Sequence, residues 1–181
     1  HSCPTRRSSD LGNPGNANRV ATYTVTFPSA GTYNLYARMQ VGPGGFNDDS
    51  LFYGNGFGAK SATTDGDWIM LNGLAAGGFT AAGDVVSGDG SVGNQVWKWV
   101  NLSQFNPSGS GGETPITFTV PAGSLTQTVQ IGARENGLDL DKFVFGTVGT
   151  DFTVSNLDAG TLPTETDYNT NLFVGPDGIA L

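Results

Sequence analysis

Two carboxylates two residues apart are the first groups in this chain that could do chemistry. Asp139 and Asp141 lie within Gly137-Leu-Asp-Leu-Asp-Lys-Phe-Val-Phe145, which reads as a strand that follows a tight turn at Glu135–Gly137. On a strand, this spacing puts both side chains on one face, with Cα atoms ~6.6–7 Å apart. Hard carboxylate oxygens suit Ca²⁺. Solvation at a turn and an edge strand is the alternative interpretation. Gly137 can take the positive φ that such a turn often needs.

Aromatic rings beside polar side chains are the second group of interest. Sugar binding needs a ring on which a pyranose can stack, together with amides or carboxylates that bond its hydroxyls. Trp97 and Trp99 share one parity of a predicted strand, so we expect both rings to be core or both to be exposed. Phe46, next to Asn47 in a glycine-rich loop, is a third candidate; covering that loop is its alternative role.

Catalysis finds little support in the residue types. A hydrolase could use two carboxylates, but nothing marks Asp48 and Asp49, or Glu135, as one raised acid with an ionised partner, and the first two read as a solvated loop turn. The single histidine and the single cysteine are His1 and Cys3. Residues 1–11 resemble the translation of a short-read sequencing adapter, so we predict that they are an artefact outside the fold. We expect no enzyme activity in this chain.

Composition excludes other classes of partner. The net charge is −8 and the eight basic residues are scattered, whereas nucleic-acid binding needs clustered lysine and arginine. No apolar run approaches the ~18 residues of a membrane span. Twenty-eight glycines and only 13% charged residues are typical of a loop-rich, all-β, secreted protein. We therefore expect neither a nucleic-acid partner nor membrane insertion.

Short strands separated by Gly, Pro and Asn turns must position these side chains, since no segment shows sustained helical periodicity. We predict an all-β, antiparallel sandwich. The expected strands and short apolar segments are 19–27, 32–40, 51–53, 68–71, 95–102, 116–120, 125–134 and 138–145. The long Gly/Ala/Asp loop over 73–93 is predicted either to border a binding face or to be flexible.

Two stretches carry a resemblance to a known family. Gly137-Leu-Asp-Leu-Asp-Lys-Phe-Val-Phe145 and Phe27-Pro-Ser-Ala-Gly-Thr-Tyr-Asn-Leu-Tyr-Ala-Arg38 resemble strands of the β-sandwich carbohydrate-binding modules of families 6 and 35. The resemblance implies a jelly-roll sandwich, a structural calcium near Asp141 and Asp139, and sugar contacts from Trp97 and Asn136. The two-tryptophan spacing of the family is not matched here. The family's first strands, which complete the calcium site, are also missing, so we expect an incomplete site and a sandwich without its first strand or strands.

We therefore expect three regions: an artefact at 1–11, a carbohydrate-binding-like sandwich at 12–147, and a linker with the truncated start of a following domain at 148–181. The predicted function is non-catalytic binding of a polysaccharide or oligosaccharide by one part of a larger secreted or cell-surface protein. The alternative is a structural or adhesive sandwich domain that does not bind sugar. An intact cleft at Trp97 and Asn136 favours the first, and burial of both tryptophan rings favours the second.

Overall fold

The computed structural model describes residues 12–162, together with the backbone of Phe173–Gly175 and Ile179–Ala180. The prediction for residues 1–11 lies outside the described residues. The chain forms two antiparallel β-sheets with almost no helix, which confirms the predicted all-β sandwich. The strands in chain order are β1 (Val20–Thr26), β2 (Gly31–Val41), β3 (Leu51–Gly54), β4 (Trp68–Leu71), β5 (Lys98–Asn101), β6 (Phe118–Val120), β7 (Thr126–Ala133), β8 (Leu138–Thr147), β9 (Phe173–Gly175) and β10 (Ile179–Ala180).

The first sheet has the order β1-β7-β3-β4, and the second has the order β10-β9-β8-β2-β5, with β6 also paired to β2. The long pair at the centre of the second sheet is β2 with β8, in which Leu35 lies opposite Phe145. Its register shifts between Arg38 and Met39. This bulge adds one residue to β8, because Lys142 pairs with Arg38 and Leu140 pairs with Met39.

The alternation that predicted the strands also builds the core. Along β2, every second side chain points between the sheets and is fully buried, whereas Arg38 and Gln40 point to the outer face. Val129 and Ile131 of β7 close the core from the other sheet. Full burial of one such side chain stabilises the fold by roughly 1.5–3 kcal/mol.

A second apolar cluster covers the outer face of the second sheet. Tyr36, Trp99 and Val144 point outward from their strands and pack against residues that follow β8. The stretch that the sequence assigned to a linker and a following domain contributes these covering side chains, Phe152, Val154 and Leu157, and its strand β9 pairs with β8.

A short helix, α1 (Val154–Ala159), carries part of this cover. Thr153 and Asn156 form a capping box at its first turn, each side chain bonding the other's backbone N–H. The indole N–H of Trp99 donates to Asp158 Oδ1 at 2.8 Å. None of the helices in the described part of the chain has the length and apolar character that a membrane crossing requires.

The long loop 72–97, between β4 and β5, is tied down by a buried lysine. The ammonium group of Lys98 donates to the carbonyl oxygens of Leu74, Val92 and Gly93 at 2.6–2.9 Å. These three bonds use all three ammonium hydrogens, which is how a buried charge is kept satisfied. The loop is therefore ordered around a cation, and Lys98 itself is inaccessible to solvent.

Candidate functional site

Three loops meet at one end of the sandwich: 42–50 between β2 and β3, 72–97 between β4 and β5, and 134–137 between β7 and β8. The pairings Val41 with Leu138 and Leu51 with Ala133 bring the first and last of these loops together. Every site residue named from the sequence lies in these loops, or next to them in β8 and just before β5. This loop end is the candidate functional site.

Asp48 joins two of the loops. Its Oδ2 accepts from the backbone N–H of Gly44 at 2.8 Å, and its carboxylate fills the space that a side chain at Gly137 would occupy. Gly137 does not use the positive φ that glycine can take, because its φ lies outside the left-handed region. Glycine is needed there for space.

Glu135 fixes the same turn from the other side. Its Oε2 accepts from the backbone N–H groups of Asp49 and Ser50 at 2.7 and 2.9 Å, and its Oε1 pairs with Arg134 at 3.0 Å. The two bonds to Asp49 and Ser50 hold the turn 134–137 against the loop 42–50. Glu135 therefore acts as a clamp that sets the position of the next residue, Asn136.

Asn136 lies in a groove of about 380 Å³, which we call the Asn136 groove. Its polar lining combines amides from Gln40, Gln95 and Asn136 with the carboxylate of Asp139, which lies opposite Gln40 in the ladder. Asn136 and Asp139 were predicted from the sequence, whereas Gln40 and Gln95 were not. The sequence signal that could have identified Gln40 was its position on β2, where its side chain points to the outer face.

Trp97 stands beside this groove. Met39 lies opposite Lys98, and this register puts Trp97, which immediately precedes β5, next to Gln40. Its side chain is 39% exposed, and the guanidinium carbon of Arg38 lies 5.3 Å from the ring centroid.

Trp99, by contrast, is only 1% exposed. The expectation that the two rings share one environment is wrong. The segment after β8 covers Trp99 and leaves Trp97 open.

Asp139 and Asp141 both reach the outer face of the second sheet, as their spacing predicted. Asp141 sits at the bulge, and its Oδ2 lies 2.6 Å from Nη1 of Arg38. Ca²⁺ needs 6–8 oxygen ligands, and the structure shows no group of three or more His, Cys, Asp or Glu side chains suited to a metal in the part of the chain it describes. With a guanidinium already on Asp141, these residues do not fit a calcium site as they stand, and calcium binding stays a prediction.

Phe46 belongs to a different groove, of about 320 Å³, which shares no lining residue with the Asn136 groove. We call it the Phe46 groove; its lining residues are Phe46, Asp49, Asn72, Gly73, Ala76 and Pro107–Ser110. The reading of Asp49 as a solvated turn residue is wrong, since it is buried and its Oδ2 accepts from the backbone N–H of Ala75 at 3.1 Å. Nothing in the local sequence separates Asp49 from Asp48; only the packing of the loop 72–97 does.

These two grooves can bind a polar ligand that has apolar faces. The lining of the Asn136 groove includes three amide residues and a carboxylate, with the exposed ring of Trp97 outside the lining. The lining of the Phe46 groove includes an exposed aromatic ring, one amide and a carboxylate. No protein-family model matches the chain, and no curated protein or solved structure matches it either.

Proposed function

We propose that this chain is a non-catalytic carbohydrate-binding module that holds a polysaccharide at the Asn136 groove. The observation that carries the proposal is the open ring of Trp97 next to a groove lined by three amides and a carboxylate. A pyranose has apolar C–H faces and a rim of hydroxyl groups, so it needs a flat ring and several hydrogen-bonding groups at the same place.

Each side chain then has a distinct role. The Trp97 ring stacks on the sugar, while Asn136, Gln40 and Asp139 bond its hydroxyls. Arg38 lies against one face of the Trp97 ring, a contact worth about 0.5–1 kcal/mol at an exposed site, and Asp141 holds Arg38 in place. The ring is therefore fixed before a ligand arrives, which lowers the entropy cost of binding.

The proposed setting is extracellular or on a cell surface, as one part of a longer protein, with the partner a polysaccharide or oligosaccharide. A structural or adhesive domain without sugar binding is the alternative. That alternative is favoured by burial of both tryptophan rings, and the exposure of Trp97 supports sugar binding instead.

Calorimetric titration of soluble oligosaccharides against wild type, Trp97→Ala and Asn136→Ala tests the proposal. We expect both variants to stay folded by circular dichroism and to bind at least tenfold more weakly. Val96→Ala is the matched control, because Val96 is also exposed and lies next to Trp97 in the chain.

A folded Trp97→Ala variant that binds as well as wild type would show that Trp97 is not part of the binding site. If instead that variant unfolds, Trp97 is part of the core and the structural-domain alternative gains.

A further inference from the structure

Three Asn–Gly pairs occur in the chain, beginning at Asn55, Asn72 and Asn136. An asparagine before a glycine is prone to deamidation, because glycine has no side chain to hinder its backbone nitrogen when that nitrogen attacks the asparagine amide. The reaction also needs a side-chain amide that is free to move, a backbone N–H that is free to lose its proton, and access for water. The surroundings of each pair therefore decide which pair reacts in the folded protein.

The pair at Asn72 is held at both reacting groups. The side-chain amide of Asn72 donates to the carbonyl oxygen of Ser110. The backbone N–H of Gly73, which carries the attacking nitrogen, donates to the carboxylate of Asp49. Deamidation here would require both hydrogen bonds to break, so the fold protects this pair.

The pair at Asn55 is held through its asparagine. The side-chain Nδ2 of Asn55 donates to the carbonyl oxygen of Gly66 at 3.1 Å, and its backbone N–H donates to that of Asp67 at 2.8 Å. These bonds tie the residue to the turn before β4. The side chain must release Gly66 before its amide carbon can meet the nitrogen of Gly56.

The pair at Asn136 has both reacting groups free. Asn136 is exposed, and neither its side-chain amide nor the backbone N–H of Gly137 makes a hydrogen bond within the part of the chain that the structure describes. The bonds that hold this turn run through Arg134 and Glu135 instead. The Asn136 groove, of about 380 Å³, gives water access to the amide carbon. This pair therefore meets all three requirements.

We propose that Asn136 is a modification site, at which the folded protein deamidates with water as the only co-reactant. The backbone nitrogen of Gly137 loses its proton to solvent and attacks Cγ of Asn136; the amide nitrogen takes up a proton and leaves as ammonia, which closes a cyclic imide. Water then opens the imide. Cleavage of the bond between nitrogen and Cγ gives aspartate, and cleavage of the bond between nitrogen and the main-chain carbonyl carbon gives isoaspartate.

Either product changes the Asn136 groove. An amide has two hydrogens to donate, whereas a carboxylate only accepts, and the new negative charge joins a groove that already contains the carboxylate of Asp139. Isoaspartate also adds a carbon to the main chain of the turn that Glu135 holds. The effect on sugar binding rests on the proposed function: if Asn136 bonds a sugar hydroxyl, the groove loses affinity as the protein ages.

Peptide mapping by mass spectrometry tests this inference. The folded chain is incubated at neutral pH in H₂¹⁸O, so that each asparagine that reacts during the incubation carries an ¹⁸O label, and fragmentation separates aspartate from isoaspartate. We expect Asn136 to deamidate at least tenfold faster than Asn55 or Asn72. The same chain in urea is the control, because unfolding removes the hydrogen bonds of the other two pairs and should make the three rates similar.

Asn136→Gln is the matched variant. Glutamine keeps the amide, but its longer side chain would have to close a larger ring, which forms far more slowly. Deamidation at this position should fall at least tenfold, while the rates at Asn55 and Asn72 should stay as in wild type.

Calorimetric titration with cellotetraose, xylotetraose and mannotetraose measures the effect on binding. In wild type, the fraction of protein that binds should fall as the deamidated fraction rises, and Asn136→Asp should bind at least tenfold more weakly than fresh wild type.

The outcomes separate the modification from the proposed function. If Asn136 reacts no faster than Asn55 and Asn72 in the folded chain, or if its lead persists in urea, the fold does not select this site and the inference is wrong. If Asn136 is modified as expected but aged protein binds the tetramers as well as fresh protein, the modification stands and the role of Asn136 in sugar binding does not.

Discussion

Trp97 and Trp99 show how much one residue's surroundings decide its role. Replacing Trp99 with alanine should cost about 3–5 kcal/mol, because its ring is buried and its N–H bonds Asp158. Trp97→Ala should cost clearly less, since Trp97 is 39% exposed. Urea denaturation of both variants measures the difference, and equal costs would contradict the distinct environments described for the two rings.

Arg38 leads to a prediction about calcium. Its guanidinium already pairs with the carboxylate of Asp141, which calcium would need as a ligand. We therefore expect weak calcium binding, or none, in wild type. Titration calorimetry measures it, with the melting temperature in calcium and in chelator as a second readout. Micromolar affinity would contradict this prediction, and Arg38→Gln, which frees Asp141, is the matched variant.

The spacing of residues along the chain predicted some side-chain positions correctly and missed others. The shared face of Asp139 and Asp141 follows from strand geometry alone. The burial of Asp49 does not, because the N–H that bonds it belongs to Ala75, in a loop 26 residues further along the chain. The space required at Gly137 depends equally on Asp48, which is distant in sequence.

At the scale of elements, the loop 72–97 depends on Lys98. Lys98→Met keeps the length of the side chain but leaves three loop carbonyls without their donor, at about 1–3 kcal/mol for each unsatisfied group. We expect a lower melting temperature and faster proteolysis within 72–97. Lys60→Met is the control, because Lys60 also bonds two carbonyls but lies nearer the surface; equal effects in both variants would argue against a special role for Lys98.

The same lysine predicts a pH dependence. Burial lowers the pKa of Lys98 to about 8 from the ordinary 10.5, although Asp49 opposes the shift. Between these values the unfolded chain keeps a proton that the folded chain has lost, so stability should rise with pH above about 8.

Near pH 10 the tyrosines reverse this trend. Burial raises the pKa of Tyr36 to about 12 and raises that of Tyr53 as well, so the folded chain keeps their protons longer than the unfolded chain does. Denaturation midpoints between about pH 7 and about pH 9, below the range in which the tyrosines act, should show the rise in wild type and a flat profile in Lys98→Met. A rise that persists in Lys98→Met would mean that another group causes it.

Strand elements were predictable and their connections were not. Alternating apolar residues identified β1, β2, β7 and β8 to within one or two residues. The bulge in β8 shows in the sequence only as a change of parity, from Leu138 and Leu140 before it to Phe143 and Phe145 after it, and it was not predicted. The ordering of the loop 72–97 could not be foreseen either, since a lysine outside the loop provides it.

At the scale of the whole molecule, the two sheets followed from the sequence, but the layer over the outer face did not. Its apolar residues are spaced among polar ones, and only contact with Tyr36 and Trp99 shows why they are there. We expect Phe152→Ala to cost about 3–5 kcal/mol, as in a core. Thermal denaturation of this variant measures it, with Val148→Ala, at an exposed site, as control. If Phe152→Ala leaves the melting temperature unchanged, the stretch behaves as a linker.

The unequal burial of the three tryptophans also gives the protein its own optical reporter. Trp68 and Trp99 are buried, and each indole N–H donates to a protein oxygen, whereas Trp97 is partly exposed to water. A water-soluble quencher should therefore first reduce the long-wavelength part of the tryptophan fluorescence, which comes from Trp97. A ligand that stacks on Trp97 should protect that component, and one that binds only near Phe46 should leave it quenchable.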